Sequence, residues 1–93
     1  MCAAVVLLGD IATGHDGFDA SPVIEASPDV FMDGKPVARQ GDAIAEHGKS
    51  GAASHGRTIS GGVSTVLVNG RPIAVTGSAV DCGGIVIGSG QVE

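Results

Sequence analysis

Aromatic side chains are nearly missing from this chain: two Phe, no Trp and no Tyr in 93 residues. A core without large rings must be assembled from Val, Ile, Leu and Ala, and at this length much of the surface stays exposed, so the interior is thin. Basic residues are scarce as well. Five Lys and Arg stand against ten Asp and Glu, giving a formal net charge of −5 with no basic run. That leaves no electrostatic footprint for nucleic acid or an anionic membrane surface. No apolar run approaches the roughly 20 residues of a spanning helix. Residues 1–8 are apolar but lack a basic start and run into Gly9-Asp10, so no export signal is expected and the chain reads as cytoplasmic when made. Two cysteines permit one disulfide, Cys2 to Cys82, which a reducing cytosol disfavours. No linker divides the sequence, and residues 1–93 read as one domain.

Glycine, by contrast, is abundant, with 16 copies, and each adds to the entropy lost on folding. A thin core with that burden gains much from an added cross-link. The sequence also repeats itself. Residues 30–42 (VFMDGKPVARQGD) align with 66–78 (VLVNGRPIAVTGS) at a shift of 36, and internal duplication of this kind is the first pattern to seek. A third start of the unit follows from Gly9-Asp10, Gly41-Asp42 and Gly77-Ser78. Asp10 and Asp42 read as turn residues whose carboxylates accept backbone N–H groups, rather than as acid/base groups.

Asp33-Gly34 and Asn69-Gly70 predict tight hairpins, because a two-residue type I′ turn needs φ > 0 at both positions. Pairing Met32 with Lys35 puts Phe31 opposite Pro36 at a non-hydrogen-bonded position, and Leu67 opposite Pro72 repeats this. The prolines are then expected to block a further strand. Strands are predicted near 29–32, 35–39, 64–68, 71–75 and 84–88, no stretch shows a 3.6-residue apolar period, and the fold class is all-β. Residues 48–56 (GKSGAASHG) read as a flexible surface loop ending near His55. The third copy stops just after Val92, which is expected to leave strand edges in need of cover.

One potential metal ligand follows each unit start: His15, His47 and Cys82, joined by His55. Three imidazoles and one thiolate suit zinc, and four protein donors close a tetrahedral shell with no place for water. The spacing is not that of a finger or ribbon, since 32 residues separate His15 from His47, eight separate His47 from His55 and 27 separate His55 from Cys82. Each donor is expected on a different turn of the repeated unit. Asp16, Asp81 or Glu46 could replace a histidine. A small zinc-dependent hydrolase, with a water in the shell and Glu46 or Asp81 as base, is the competing reading. Ser60, Ser64 and Ser78 lack a nucleophile turn, and the glycines of 48–62 lack phosphate-loop order.

These features together resemble the PAAR-repeat family. The likeness rests on Leu8-Gly9-Asp10 before His15; Ser27-Pro28-Asp29-Val30 running through Asp33-Gly34-Lys35-Pro36-Val37-Ala38-Arg39 into Gly41-Asp42; His47 and His55; Ile59-Ser60-Gly61; Asn69-Gly70-Arg71-Pro72-Ile73-Ala74; and Cys82-Gly83-Gly84-Ile85. The naming tetrapeptide reads Pro36-Val37-Ala38-Arg39 in one copy and Pro72-Ile73-Ala74-Val75 in the other, so its arginine occurs once. The resemblance implies a cone-shaped fold of pseudo-threefold hairpins with a structural zinc near its apex, held by His15, His47, His55 and Cys82. It implies a spike tip of a contractile injection machine, one per trimeric spike of VgrG or phage-tail type, ejected through the apparatus and touching the target membrane only in passing. It implies no catalytic residues and no small-molecule substrate, and it leaves the partner-binding residues of the base unspecified. Many members carry a fused toxin; this sequence reads as a bare tip. A cone's apex has little interior to fill, and there a structural zinc, contributing on the order of 10 kcal/mol or more, rivals the roughly 5–15 kcal/mol stability of a whole domain.

Overall fold

The three glycine steps of the sequence form one and the same turn. In a computed structural model, Asp10 donates its N–H to the Leu7 carbonyl at 3.0 Å and accepts the Leu7 N–H on Oδ2 at 2.8 Å. Asp42 does the same with Arg39 at 3.0 and 2.7 Å, and Ser78 with Val75 at 2.9 and 3.1 Å through its hydroxyl. The third residue of each turn needs a positive φ, which glycine supplies at Gly9, Gly41 and Gly77 with values of 91°, 91° and 96°. Both carboxylates thus accept the backbone N–H of their own turn, as the sequence suggested.

The structure describes residues 4–14, 20–49, 52–81 and 83–90, with backbone only for 47–49 and 52–55. All the regular elements there are strands: β1 (Ile11–Ala12), β2 (Ser21–Pro22), β3 (Phe31–Met32), β4 (Lys35–Pro36), β5 (Ala43–Lys49), β6 (Ala52–Thr58), β7 (Val63–Val68), β8 (Arg71–Ile73) and β9 (Val86–Ile87). β1 lies between β2 and β9, and β3–β4, β5–β6 and β7–β8 are antiparallel hairpins. The Asp33-Gly34 and Asn69-Gly70 turns have φ of 54° and 79°, and 55° and 79°, the type I′ signature. Phe31 faces Pro36 and Leu67 faces Pro72 in the expected register.

Between copies the backbone closes on itself in rings. Val6 donates to Ala74, Ala74 to Ala38 and Ala38 to Val6, at 2.9, 3.1 and 2.8 Å. A second ring runs from Leu8 to Pro36, from Gln40 to Pro72 and from Thr76 to Ala4, each at 2.9 Å. Leu7 bridges Val37, Arg39 bridges Ile73 and Val75 bridges Val5. Further along each copy, Val23 bridges Ile44, Ile59 bridges Val80, and Val86 pairs with Ala12. Each copy hands its strands to the next and the last returns to the first, which is pseudo-threefold symmetry within one chain.

The core follows that symmetry. Its main cluster is three tiers of three: Val6, Ala38 and Ala74; Ala12, Ile44 and Val80; Val23, Ile59 and Val86. No aromatic ring takes part, and each buried Val or Ile contributes roughly 1.5–3 kcal/mol. A second cluster of Val5, Leu7, Val37 and Val68, with Met32 and Ile73 against it, underlies hairpins β3–β4 and β7–β8. The body is elongated, 42 × 27 × 22 Å.

Three expectations are corrected. Residues 48–56 are not a loop: most of them lie in β5–β6, whose two seven-residue strands are the longest described. Their small residues carry little strand propensity; the pairs Ala43–Thr58 and Ile44–Arg57 next to the core start the pairing, which runs on to Lys49–Ala52 with register shifts on either side of His47–His55. The prolines do not seal their edge either, although β3–β4 and β7–β8 remain two-stranded. Pro36 and Pro72 lack only a donor, and their carbonyls accept Leu8 and Gln40 in the second ring. Nor is the third copy left open where it is described, because Val5 and Gly90 exchange both hydrogen bonds, at 3.2 and 2.9 Å, in the place where the other copies carry hairpins.

Candidate metal centre

Of the four expected donors, His47 and His55 fall on β5 and β6 and are direct partners in their register. Opposed positions of an antiparallel ladder lie on one face, with Cα atoms about 4.5–5.5 Å apart. The two histidine positions therefore come from one hairpin of the second copy, not from separate turns as expected. The cause is the same hairpin that replaces the predicted loop. His15 and Cys82 lie outside the described residues, as do Asp16 and Cys2. Thr13, two residues before His15, and Gly83, one after Cys82, are described and meet at a single side chain.

That side chain is Arg57, which is 2% exposed. Its Nη1 donates to the Ser21 hydroxyl at 2.9 Å and the Ala12 carbonyl at 3.4 Å, and its Nη2 donates to the Gly83 carbonyl at 3.2 Å and to the Thr13 carbonyl. One guanidinium from the second copy thus binds segments of the first and third. Close approach demands glycine at Gly84, where φ is +87° and a Cβ would stand 2.6 Å from the Thr13 carbonyl oxygen. Thr13 and Ile85 complete the junction, with the Thr13 N–H reaching the Ile85 carbonyl at 2.8 Å and Oγ1 accepting the Ile85 N–H at 3.0 Å. Sequence reasoning passed over Arg57, because an isolated arginine in a glycine-rich stretch carries no local signal.

Of the carboxylates offered as alternatives, Asp81 and Glu46 are described. Asp81 accepts the Thr58 N–H on Oδ1 and the Thr58 hydroxyl on Oδ2, both at 3.0 Å, so both oxygens are occupied in joining the second copy to the third. Glu46 is exposed on β5. Among the residues whose side chains are described, no three His, Cys, Asp or Glu gather as a metal site.

The PAAR motif family model matches residues 8–88, which hold the rings, the tiers and the turns except for Ala4, Val6 and Leu7. The chain belongs to the PAAR motif family. The match takes in the second and third turns whole and the first from Leu8 on, hairpins β3–β4, β5–β6 and β7–β8, and the positions of His15, His47, His55 and Cys82. Comparison with curated proteins gives no significant match. In this PAAR chain the turn and the axial rings recur in every copy, while the Arg57 junction occurs once.

Proposed function

We propose that this PAAR protein is a structural spike tip of a contractile injection machine: it seats on a trimeric spike of VgrG or phage-tail type, sharpens it, and performs no catalysis. The observation that carries this reading is the closed ring of Val6, Ala38 and Ala74. A single chain can match three identical subunits only by presenting three similar faces, and the backbone rings supply that equivalence. Exposed apolar residues on hairpins β3–β4 and β7–β8, Phe31 at 55% and Leu67 at 59%, suit a base that another protein covers. No helix among the described residues is long and apolar enough to cross a membrane, in keeping with a tip that meets the target envelope only on ejection and stays in the cytoplasm until loaded.

In this reading His15, His47, His55 and Cys82 hold a structural zinc ion. The donor chemistry fits, three imidazoles and a thiolate being a familiar zinc set, and the paired positions of His47 and His55 favour a common ligand. When bound, the ion supplies a cross-link between copies where the core has ended. Other side chains do the remainder: Arg57 gathers the neighbouring carbonyls, and Thr58 with Asp81 joins the second copy to the third.

Co-expression with a trimeric spike protein of VgrG or phage-tail type, followed by native mass spectrometry and metal analysis, tests both parts. The expected particle holds one tip per spike trimer and about one zinc per tip. His15→Ala or Cys82→Ser is expected to lower zinc content sharply. Three tips per trimer, or full zinc in those variants, would contradict the proposal.

A further inference from the structure

We infer that Arg57 is a positioning residue for the metal centre, an inference that rests on the zinc reading above. Alignment through the core tier of Val23, Ile59 and Val86 makes Ser21, Arg57 and Gly84 equivalent, each standing two residues earlier in its copy. Where three side chains would converge, one copy provides a long guanidinium and the others provide a hydroxyl and a hydrogen atom. Ser21 accepts from Nη1 at 2.9 Å. A Cβ on Gly84 would lie 3.2 Å from Nη2. Both small residues make room for the one large one, so this tier is built around Arg57.

Its placement along the chain gives the tier its role. His55 precedes Arg57 by two residues, Cys82 precedes Gly84 by two, and His15 follows Thr13 by two. The guanidinium therefore fixes, through the carbonyls of Ala12, Thr13 and Gly83, the segments that lead into donors from all three copies. A planar fork of five N–H groups can satisfy several carbonyls at once in fixed directions, whereas an ammonium group is a rotatable point charge. Arg57→Lys keeps the positive charge and removes the fork. Any loss of affinity in that variant comes from geometry, since electrostatic repulsion of the metal is unchanged.

The test measures zinc release from holoprotein into excess chelator, zinc affinity by competition, and the absorption spectrum of the Co(II)-substituted protein. Arg57→Lys should bind zinc about 10- to 100-fold more weakly, the usual scale for residues that orient ligands, with a shifted cobalt spectrum. Ser21→Ala, which removes one acceptor and leaves the arginine, should move both in the same direction by less; it serves if the lysine variant does not fold. A purely structural Arg57 would lower the melting temperature and leave affinity and spectrum unchanged, which would overturn the inference. Wild-type protein that takes up no zinc would instead overturn the metal reading itself, and this inference with it.

Discussion

Asp42 grips Arg39 at three points: Oδ2 accepts the backbone N–H at 2.7 Å and Nε at 3.0 Å, while Oδ1 accepts Nη2 at 2.7 Å. The carboxylate is wholly buried and the arginine nearly so. Arg71 adds a second guanidinium contact to Oδ1 at 3.0 Å, and Asn69 accepts Arg39 Nη1 at 3.0 Å. The hydrogen bonds to Asp42 raise the Arg39 pKa further above its ordinary value. The arginine of the family tetrapeptide is thus locked onto the turn that follows it.

The other copies show what can replace this pair. Leu7 and Val75 occupy the place of Arg39, and Ser78 occupies that of Asp42. Asp42→Ser alone strands a buried guanidinium, and Arg39→Val alone leaves a buried carboxylate short of its main partner; each is expected to cost about 3–5 kcal/mol. Arg39→Val with Asp42→Ser installs the third copy's own solution and should cost less than either single change. Urea unfolding of the four proteins checks this. Costs that simply add would refute it.

Much of this was legible in the residues. The first half of each copy aligns without gaps, so the turn at Asp10, Asp42 and Ser78, the type I′ hairpins and the valine-rich, ring-free core could all be read from spacing and residue type. The second halves differ in length. Val23, Ile59 and Val86 are equivalent only in space, so their tier and the Ser21, Arg57 and Gly84 tier above it left no aligned columns. Hairpin β5–β6 escaped because Ala, Ser and Gly carry little strand preference, although Ser50-Gly51 between the two runs was an available turn signal.

Equivalence at the axis can be tested by moving volume between copies. Val6, Ala38 and Ala74 form one fully buried tier, in which one valine serves for all three. Ala38→Val alone overpacks it, at about 1–3 kcal/mol. Val6→Ala with Ala38→Val transfers the valine to the next copy and keeps the volume, so the double variant should lose less than about 1.5 kcal/mol. Thermal unfolding would show a larger loss if the copies were not interchangeable there.

Backbone strain separates two glycines that both have open space. A Cβ at Gly9 or at Gly56 would meet nothing within 4 Å, but Gly9 has φ +91°. Gly9→Ala should therefore cost about 1–3 kcal/mol through conformation alone. Gly56→Ala should be neutral or stabilise by up to about 1 kcal/mol through the unfolded chain. Equal melting temperatures for the two variants would show that the turn tolerates a side chain at its third position.

Asp29 gives the fold a pH dependence of known sign. Asn69 Nδ2 donates to its Oδ1 at 2.8 Å and the Ser27 hydroxyl lies 3.1 Å from the same atom, and these bonds, Asn69's first, hold its carboxyl below the usual carboxylate range. A carboxylate with a lower pKa in the folded than in the unfolded state stabilises the fold above its unfolded value, about 3.9. The stabilisation is lost as pH falls through the folded value. Asp29→Asn removes the titration, so the stability gap between wild type and variant should hold near neutral pH and shift against the wild type below about pH 4. Chemical unfolding of both proteins between about pH 2.5 and 7 measures it. A gap that stays constant across that range would mean that the Asn69 bond does not distinguish the ionised from the protonated carboxyl.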